Sequence, residues 1–234
     1  MRKIVFFIFL VSQFLSLSAF CQLAGLNQPF LDKYQEQLPY FQELITGGQY
    51  AEPSRLIEGD PFRFSRQFDL GGLTINGVYY PEVPLLYDIF RDQVVTFHPI
   101  FNQKILIKPE KIASFMLANG EKFRYFPSNP GYIHHSNGIY KLIHEGQILA
   151  LAKTYKTTKE IRDLSKFDQI YVEKEDYFLW ENGQFHSISR PRDAFNVLQT
   201  EPKVFKKQLK SAGMNFRQNP EGYLKKLLEL KSTF

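Results

Sequence analysis

Four Asn-Gly dipeptides, beginning at positions 76, 119, 137 and 182, constrain the fold of this chain more than any other feature. Asn-Gly favours the type I′ turn of a two-residue β-hairpin, because both central residues of that turn have positive φ. Each dipeptide lies beside β-branched or aromatic residues, as in "LTINGVYY" and "YFLWENGQFHSI". Glu145-Gly146 is a fifth candidate turn. The pattern predicts antiparallel strands joined by short turns.

Two more turns divide the apolar stretches between these dipeptides. "LLYDIFRDQVVTF" predicts a turn at Arg91-Asp92, and "ILIKPEKIASF" predicts one at Lys108-Pro109-Glu110. No helical stretch long enough for a parallel crossover separates the strands, so neighbours pair antiparallel. We therefore expect a β-meander over residues 62–188 that curves into a half-barrel or a barrel-like sheet.

Two-residue turns fix the register of each predicted strand pair. Asn76-Gly77 places Ile75 opposite Val78, Arg91-Asp92 places Ile89 opposite Val94, and Glu145-Gly146 places Leu142 opposite Leu149. On these registers apolar pairs fall on both faces of the strands. The sheet is therefore expected to be covered on both sides.

After Ile188 the signals change from turns to helix starts and stops. Proline favours the first helical position, and Ser or Thr favours the residue before the helix. These signals predict helices over Pro191–Leu198 (capped by Ser189), over 202–212 (capped by Thr200) and from Pro220 onward. The fold class predicted is α+β: an antiparallel meander followed by three helices at about 190–231.

The first twenty-one residues match a secretory signal peptide. Two basic residues precede an apolar run from Ile4 to Leu17, and Ala19 and Cys21 stand at −3 and −1 of a cleavage site before Gln22. The run is shorter than the roughly 20 apolar residues of a transmembrane helix. We expect cleavage and export to the periplasm or out of the cell. The alternative is a lipoprotein anchored through Cys21.

This assignment divides the chain into a signal peptide at 1–21, an N-terminal extension at 22–60 and a single domain at 61–234. The exported chain has no cysteine, which excludes disulfides and a thiol nucleophile. Its formal charge is +3, from 27 basic and 24 acidic residues. That balance gives no reason to expect nucleic acid as a partner.

Three of the five histidines lie within "IHHSNGIYKLIH", residues 133–144. In a hairpin turning at Asn137-Gly138, His134 and His135 point to opposite faces of the sheet. His144 shares a face with His135 but lies roughly 13 Å along the strand. Zinc ligands lie about 2 Å from their metal. We therefore predict surface histidines, no metal site and no cofactor.

No local motif supplies catalytic groups. The sequence contains no Gly-x-Ser-x-Gly nucleophile elbow, and Val78 stands where a phosphate-binding loop requires lysine. Asp88, predicted mid-strand opposite Val95, is the carboxylate of most interest. The alternative function is thus a hydrolase that pairs Asp88 with a distant histidine such as His98.

The function favoured by the sequence is a non-catalytic binding module of the cell envelope or the extracellular space. Its partner is expected to be a protein, a glycan or a lipid, bound through the aromatic sheet or through the C-terminal tail. From residue 189 to 234 the tail carries ten basic residues against four acidic ones. A basic helical face of this kind is more often solvated than bound to anionic lipid or an acidic partner.

Three segments resemble a family of uncharacterised exported proteins of Gram-negative bacteria. They are "GGLTINGVYYPEVPLLYDIFRDQVV", "GIYKLIHEGQILALAKTYK" and "YFLWENGQFHSI", ahead of a lysine-rich tail. The likeness covers about residues 43–230. Where that family has an early Gly-His-Pro step, this chain reads Gly59-Asp60-Pro61. The resemblance implies export and one β-rich domain, and it implies no activity, ligand or catalytic residue.

Overall fold

This computed structural model of the chain describes residues 44–45, 47–64, 66–98, 101–162 and 166–233. The predicted signal peptide and Cys21 lie outside the described residues, as does the predicted extension up to residue 43. The described end of that extension lies on the sheet. Tyr50 is buried there, and its N–H donates to the carbonyl of Lys104 at 2.9 Å.

Eleven strands and three helices are found in the described residues. The first five strands are β1 Ile57–Glu58, β2 Asp69–Ile75, β3 Val78–Asp88, β4 Gln93–His98 and β5 Gln103–Ile107. The next six are β6 Ile112–Met116, β7 Lys122–Tyr125, β8 Ile139–His144, β9 Leu149–Glu160, β10 Gln169–Glu181 and β11 Gln184–Ser187. The helices are α1 Pro191–Leu198, α2 Pro202–Ser211 and α3 Pro220–Thr233.

The strands form one open, mixed sheet in the order β1-β10-β9-β8-β7-β6-β2-β3-β4-β5, with β11 also pairing with β10. Every described strand pair is antiparallel except β1 with β10. The chain runs through one meander from β2 to β5 and a second from β6 to β11, and β2 pairs with β6 where the meanders meet. The predicted α+β class is confirmed.

The connection between the two meanders makes the sheet curve. In a flat sheet β5 and β6 would lie four strand spacings apart, about 19 Å. The link from Ile107 to Ile112 spans at most about 18 Å when fully extended, and the 3₁₀ turn Pro109–Lys111 shortens it further. On the other side, the N–H of Lys156 on β9 donates to the carbonyl of Ile89 at 3.2 Å. The sheet is therefore curled but not closed.

Apolar side chains cover both faces of the sheet, as predicted. Inside the curl, the Phe115 and Phe123 rings stack 4.8 Å apart and Tyr87 contacts both edge-on. The three helices cover β8, β9 and β10 on one face, where Leu224 and Leu227 of α3 pack in one cluster with Ala150 and Leu179. On the opposite face of these strands lies a second cluster around Tyr140, Leu149, Leu151 and Phe178.

Of the three predicted registers, the one at Asn76-Gly77 is confirmed, with Ile75 opposite Val78. The register at Arg91-Asp92 is wrong, because the β3–β4 turn takes four residues and places Tyr87 opposite Val94. Asp88 causes this longer turn: its Oδ1 accepts the N–H groups of Phe90 and Arg91 at 3.0 and 2.9 Å.

Two other predicted turns also differ from the structure. Leu142 pairs with Leu151 instead of Leu149, because five residues separate His144 from its partner Ala150 where the prediction had a two-residue turn. Lys108-Pro109-Glu110 does not form a hairpin: β5 pairs with β4, whereas β6 pairs with β2. The local turn signal therefore does not determine the strand pairing at either place.

The predicted hairpin at Asn137-Gly138 is wrong. β7 and β8 pair directly, and residues 126–138 form the loop between them. Within this loop the N–H groups of Tyr132, His135 and Gly138 each donate to the carbonyl three residues earlier, at 3.2, 3.2 and 2.8 Å. This run of consecutive turns removes His134 and His135 from any strand.

The three predicted helices are confirmed, and the Tyr223, Leu224, Leu227 and Leu228 stripe of α3 is buried. The predicted caps are one residue early, since Arg190 and Glu201 occupy the N-cap positions of α1 and α2. No helix among the described residues is long and apolar enough to cross a membrane.

Candidate functional site

The outer face of β2, β6, β7 and β8 carries a groove of about 550 Å³. Small-molecule sites commonly occupy about 300–1,000 Å³ and combine an apolar lining with a few polar groups. Small residues on the strands leave this space open. The groove is lined chiefly by Gly72, Thr74, Tyr79, Ser114, Met116, Lys122, Arg124, Leu142 and Glu145.

The floor of the groove depends on Gly72. Its pairing partner on β6 is Met116, and Tyr79 on β3 pairs with the neighbouring Thr74. A Cβ at position 72 would overlap the Tyr79 ring, lying only 2.9 Å from Cε2. Glycine thus allows Tyr79 to lie across the strand, where it remains 55% exposed beside the 37% exposed Met116. Two large apolar side chains therefore face solvent side by side.

Two cations border this apolar surface. Lys122 and Arg124 are alternate residues of β7, so both point to the outer face, opposite Met116 and Ser114 respectively. Both are exposed, and neither forms a salt bridge within the described part of the chain. Glu145 is the acidic residue of the lining. The groove therefore joins an apolar floor to a net positive edge.

A second cavity, of about 610 Å³, adjoins the groove, since Lys122, Leu142 and Glu145 line both. Its wall holds a charged cluster centred on Lys141. The Lys141 ammonium lies 2.8 Å from Glu121 Oε1 and donates to both oxygens of Glu221, at 2.6 and 2.8 Å. Arg63 donates to both oxygens of Glu121, at 3.1 and 3.0 Å, and also to Glu173.

The pKa values of this cluster follow from burial and from its ion pairs. Burial alone would raise the pKa of Glu121, but the hydrogen bonds from Arg63 and Lys141 lower it below its ordinary value. Burial raises the pKa of Glu221, against the effect of Lys141. Burial would lower the pKa of Lys141, but its bonds to both carboxylates raise it. Each charge is matched by a partner, so the cluster links β8 to the β6–β7 turn and α3.

Asp88, the carboxylate predicted to be of interest, is fully buried and does not line the groove. Tyr50 Oη donates to Asp88 Oδ2 at 2.7 Å, and burial raises the pKa of Asp88 despite its hydrogen bonds. Asp88 pairs with Gln93 at the start of β4 and not with Val95. His98 lies at the other end of β4, five residues and about 16 Å from Gln93. The structure does not bring Asp88 and His98 together.

The three histidines that lie close together in the sequence, within residues 133–144, have different surroundings in the structure. The His134 ring stacks on Tyr155 at 4.0 Å, and His135 Nδ1 lies 2.9 Å from Tyr140 Oη. His144 ends β8 and lines the second cavity. No group of three or more His, Cys, Asp or Glu side chains in the described residues is arranged to hold a metal ion.

A buried ion pair was not predicted from the sequence. Lys153 on β9 is 1% exposed, and its Nζ lies 2.6 Å from Asp92 Oδ2 and 2.8 Å from the carbonyl of Ile139. The Asp92 carboxylate also accepts Tyr87 Oη at 2.6 Å and the N–H of Asn137 at 2.8 Å. This pair fastens the β3–β4 turn and the loop of residues 126–138 to β9.

The sequence around some of these residues contains a pattern that indicates their environment. A lysine within "LALAKTYK" indicates a buried charge that needs a partner, and "KFRY" alternates cations with aromatics as a strand with one solvent face does. The partners lie far along the chain, so no local pattern identifies them. Comparisons with protein-family models, with curated proteins and with solved structures find no match to this chain.

Proposed function

We propose that this protein is exported and acts as a non-catalytic binding module, in the periplasm or outside the cell. Its ligand binds in the groove on the outer face of β2, β6, β7 and β8. The observation that carries this proposal is the exposed pair Tyr79 and Met116 beside the cations Lys122 and Arg124. Contiguous exposed apolar surface with a polar edge is a common mark of a binding site.

The chemistry of the groove indicates what such a ligand needs. An apolar part covers Tyr79 and Met116, and a negatively charged part pairs with Lys122 and Arg124. Arginine and lysine both bind carboxylates and phosphates through charge-assisted hydrogen bonds. The ligand is therefore an acidic molecule with an apolar portion, and either a lipid or a peptide supplies both.

Binding is favoured over catalysis by the state of the ionisable groups. Asp88 and Lys153 are buried within closed hydrogen-bond networks, and Lys141 occupies the space between Glu121 and Glu221. A catalytic site instead presents an acid or base within reach of a substrate. The exposed charges of the groove are suited to holding a ligand in place.

The test is recovery of the bound ligand from native cells. The wild type is compared with Lys122→Glu/Arg124→Glu, which reverses the charge of the groove, and with Lys159→Glu/Lys174→Glu, which makes the same change at exposed positions of β9 and β10. Mass spectrometry identifies copurifying small molecules, and chemical crosslinking identifies captured proteins. We expect an acidic ligand on the wild type and on the β9/β10 variant, and its loss from the groove variant.

Two outcomes would overturn the proposal. One is bound material that is retained equally by all three proteins. The other is turnover of an ester, glycoside or peptide substrate by the wild type, with no ligand recovered.

A further inference from the structure

The second C-terminal helix presents one uninterrupted basic face to solvent. Lys203, Lys206, Lys207 and Lys210 follow the i, i+3, i+4, i+7 spacing, so they fall within an arc of about 100° on α2. All four are exposed. The lysines are spread over about 10 Å of helix, at 1.5 Å per residue.

These charges are uncompensated. None of the four lysines forms a salt bridge with any other described residue, in contrast to Lys141, Lys153 and Lys156 of the sheet. α2 itself contains no acidic residue, and Glu201 lies just before its first turn. The face therefore carries four positive charges available to an external anion.

The opposite side of α2 fixes the orientation of this face. Phe205 and Leu209 are buried, and both belong to the cluster that includes Leu224 and Leu227 of α3. The Phe205 ring lies 6.5 Å from that of Phe195 on α1. A helix held in this way presents its lysines as a fixed surface, with the 49% exposed Val204 at the margin.

The types of residue exposed on α2 favour a lipid surface over a protein as the partner of this face. Protein–protein interfaces are depleted in lysine, and their energetic centres are tryptophan, tyrosine and arginine. The exposed residues of α2 include none of these three types. Lysine on a helix face is instead typical of attraction to anionic lipid headgroups, with the aliphatic stems lying in the interface.

We propose that the lysine face of α2 binds the surface of an anionic lipid membrane, with the sheet and its groove outside the bilayer. This contact is separate from the ligand groove, because α2 contributes no residue to the groove lining. It holds the protein at a membrane surface whether or not the groove is occupied.

The experiment is vesicle co-sedimentation with protein recovered from native cells. One set of vesicles contains phosphatidylglycerol mixed with phosphatidylethanolamine, and the other contains phosphatidylcholine alone. The wild type is compared with Lys206→Gln/Lys207→Gln and with Lys159→Gln/Lys174→Gln, which loses the same charge from the sheet. Each lysine near an anionic surface contributes about fivefold to partitioning. We expect the α2 variant to partition about 25-fold more weakly into the anionic vesicles and the sheet variant to match the wild type.

The wild type is also expected to lose this binding as salt concentration rises, since exposed charges are screened. Equal partitioning of the α2 variant and the wild type would overturn the proposal. So would the absence of wild-type binding to the anionic vesicles. Displacement by soluble polyglutamate at equal charge concentration would assign the face to acidic protein instead of lipid.

Discussion

Lys153 occupies an environment that lysine usually avoids. Its ammonium lies among Asp92, the Ile139 carbonyl and the Tyr140 ring, whose centroid is 5.2 Å from Nζ. Burial lowers the pKa of Lys153, and the Asp92 carboxylate opposes that effect. The charge is predictable from its place in an apolar strand. Its partner is not, because Asp92 lies 61 positions earlier, in a turn whose length depends on Asp88.

Removing one member of this pair leaves the other buried and uncompensated. We expect Lys153→Met to lower the free energy of unfolding by about 3–5 kcal/mol. Adding Asp92→Asn to that variant should restore part of the loss, since asparagine also tolerates the positive φ of residue 92. Urea denaturation of both single variants and the double variant measures the coupling. Purely additive losses would contradict the pairing.

The free energy of unfolding is expected to depend on pH through the ionisation of Glu121. Its pKa in the folded protein is lowered from 4.5, so its stabilising contribution is complete above that pH and is lost as pH falls. We expect Glu121→Gln to cost about 2 kcal/mol at pH 7. The difference from the wild type should shrink as the pH falls below 4.5, because the pKa of Glu121 in the folded protein lies below that value. Glu110→Gln, at an exposed position of the 3₁₀ turn, is the control. A difference that stays constant with pH would rule out this assignment.

Some turns and helices can be predicted from the local sequence alone, and others cannot. The hairpin at Asn76-Gly77 and the starts of α1, α2 and α3 are determined by residues that are adjacent in the sequence. The registers of β3–β4 and β8–β9 depend on connections that are longer than two residues, so the dipeptides alone misplace them. The groove arises where two meanders join, and no single segment contains its lining.

Replacing Gly138 or Gly183 with alanine is expected to destabilise the folded protein for different physical reasons. Both have positive φ, at 74° and 82°, but a Cβ at 138 would overlap the carbonyl oxygen of Phe126, whereas one at 183 meets nothing within 4 Å. We expect Gly183→Ala to cost about 1 kcal/mol from backbone strain alone. Gly138→Ala should cost about 3 kcal/mol, because the loop of residues 126–138 must shift as well. Thermal unfolding compares them, and equal costs would contradict the close approach at Gly138.

For the molecule as a whole, the α+β class and the antiparallel pairing of neighbouring strands were predictable, and the order of the strands was not. Turn signals define neighbours along the chain. The pairing of β2 with β6 is a long-range contact, and together with the short link from β5 to β6 it requires the sheet to curve. The proposed export rests on residues 1–21, which lie outside the described structure.

Export predicts a defined N-terminus for the protein in its native cells. Cleavage after Cys21 should leave a chain that begins at Gln22. N-terminal sequencing and intact mass of protein from the cell envelope and the medium measure this directly. An intact Met1 would contradict export by cleavage, and a lipid-modified Cys21 would establish the lipoprotein alternative.

Photocrosslinking tests most directly the proposal that a ligand binds in the outer groove. A photoreactive benzophenone side chain at Met116, in the groove, is compared in native cells with the same group at Ile133, an 86% exposed residue of the loop 126–138. We expect a discrete adduct from position 116, its loss on Lys122→Glu/Arg124→Glu, and no such adduct from position 133. An adduct from position 133 alone, or adducts from position 116 that survive the charge reversal, would contradict it.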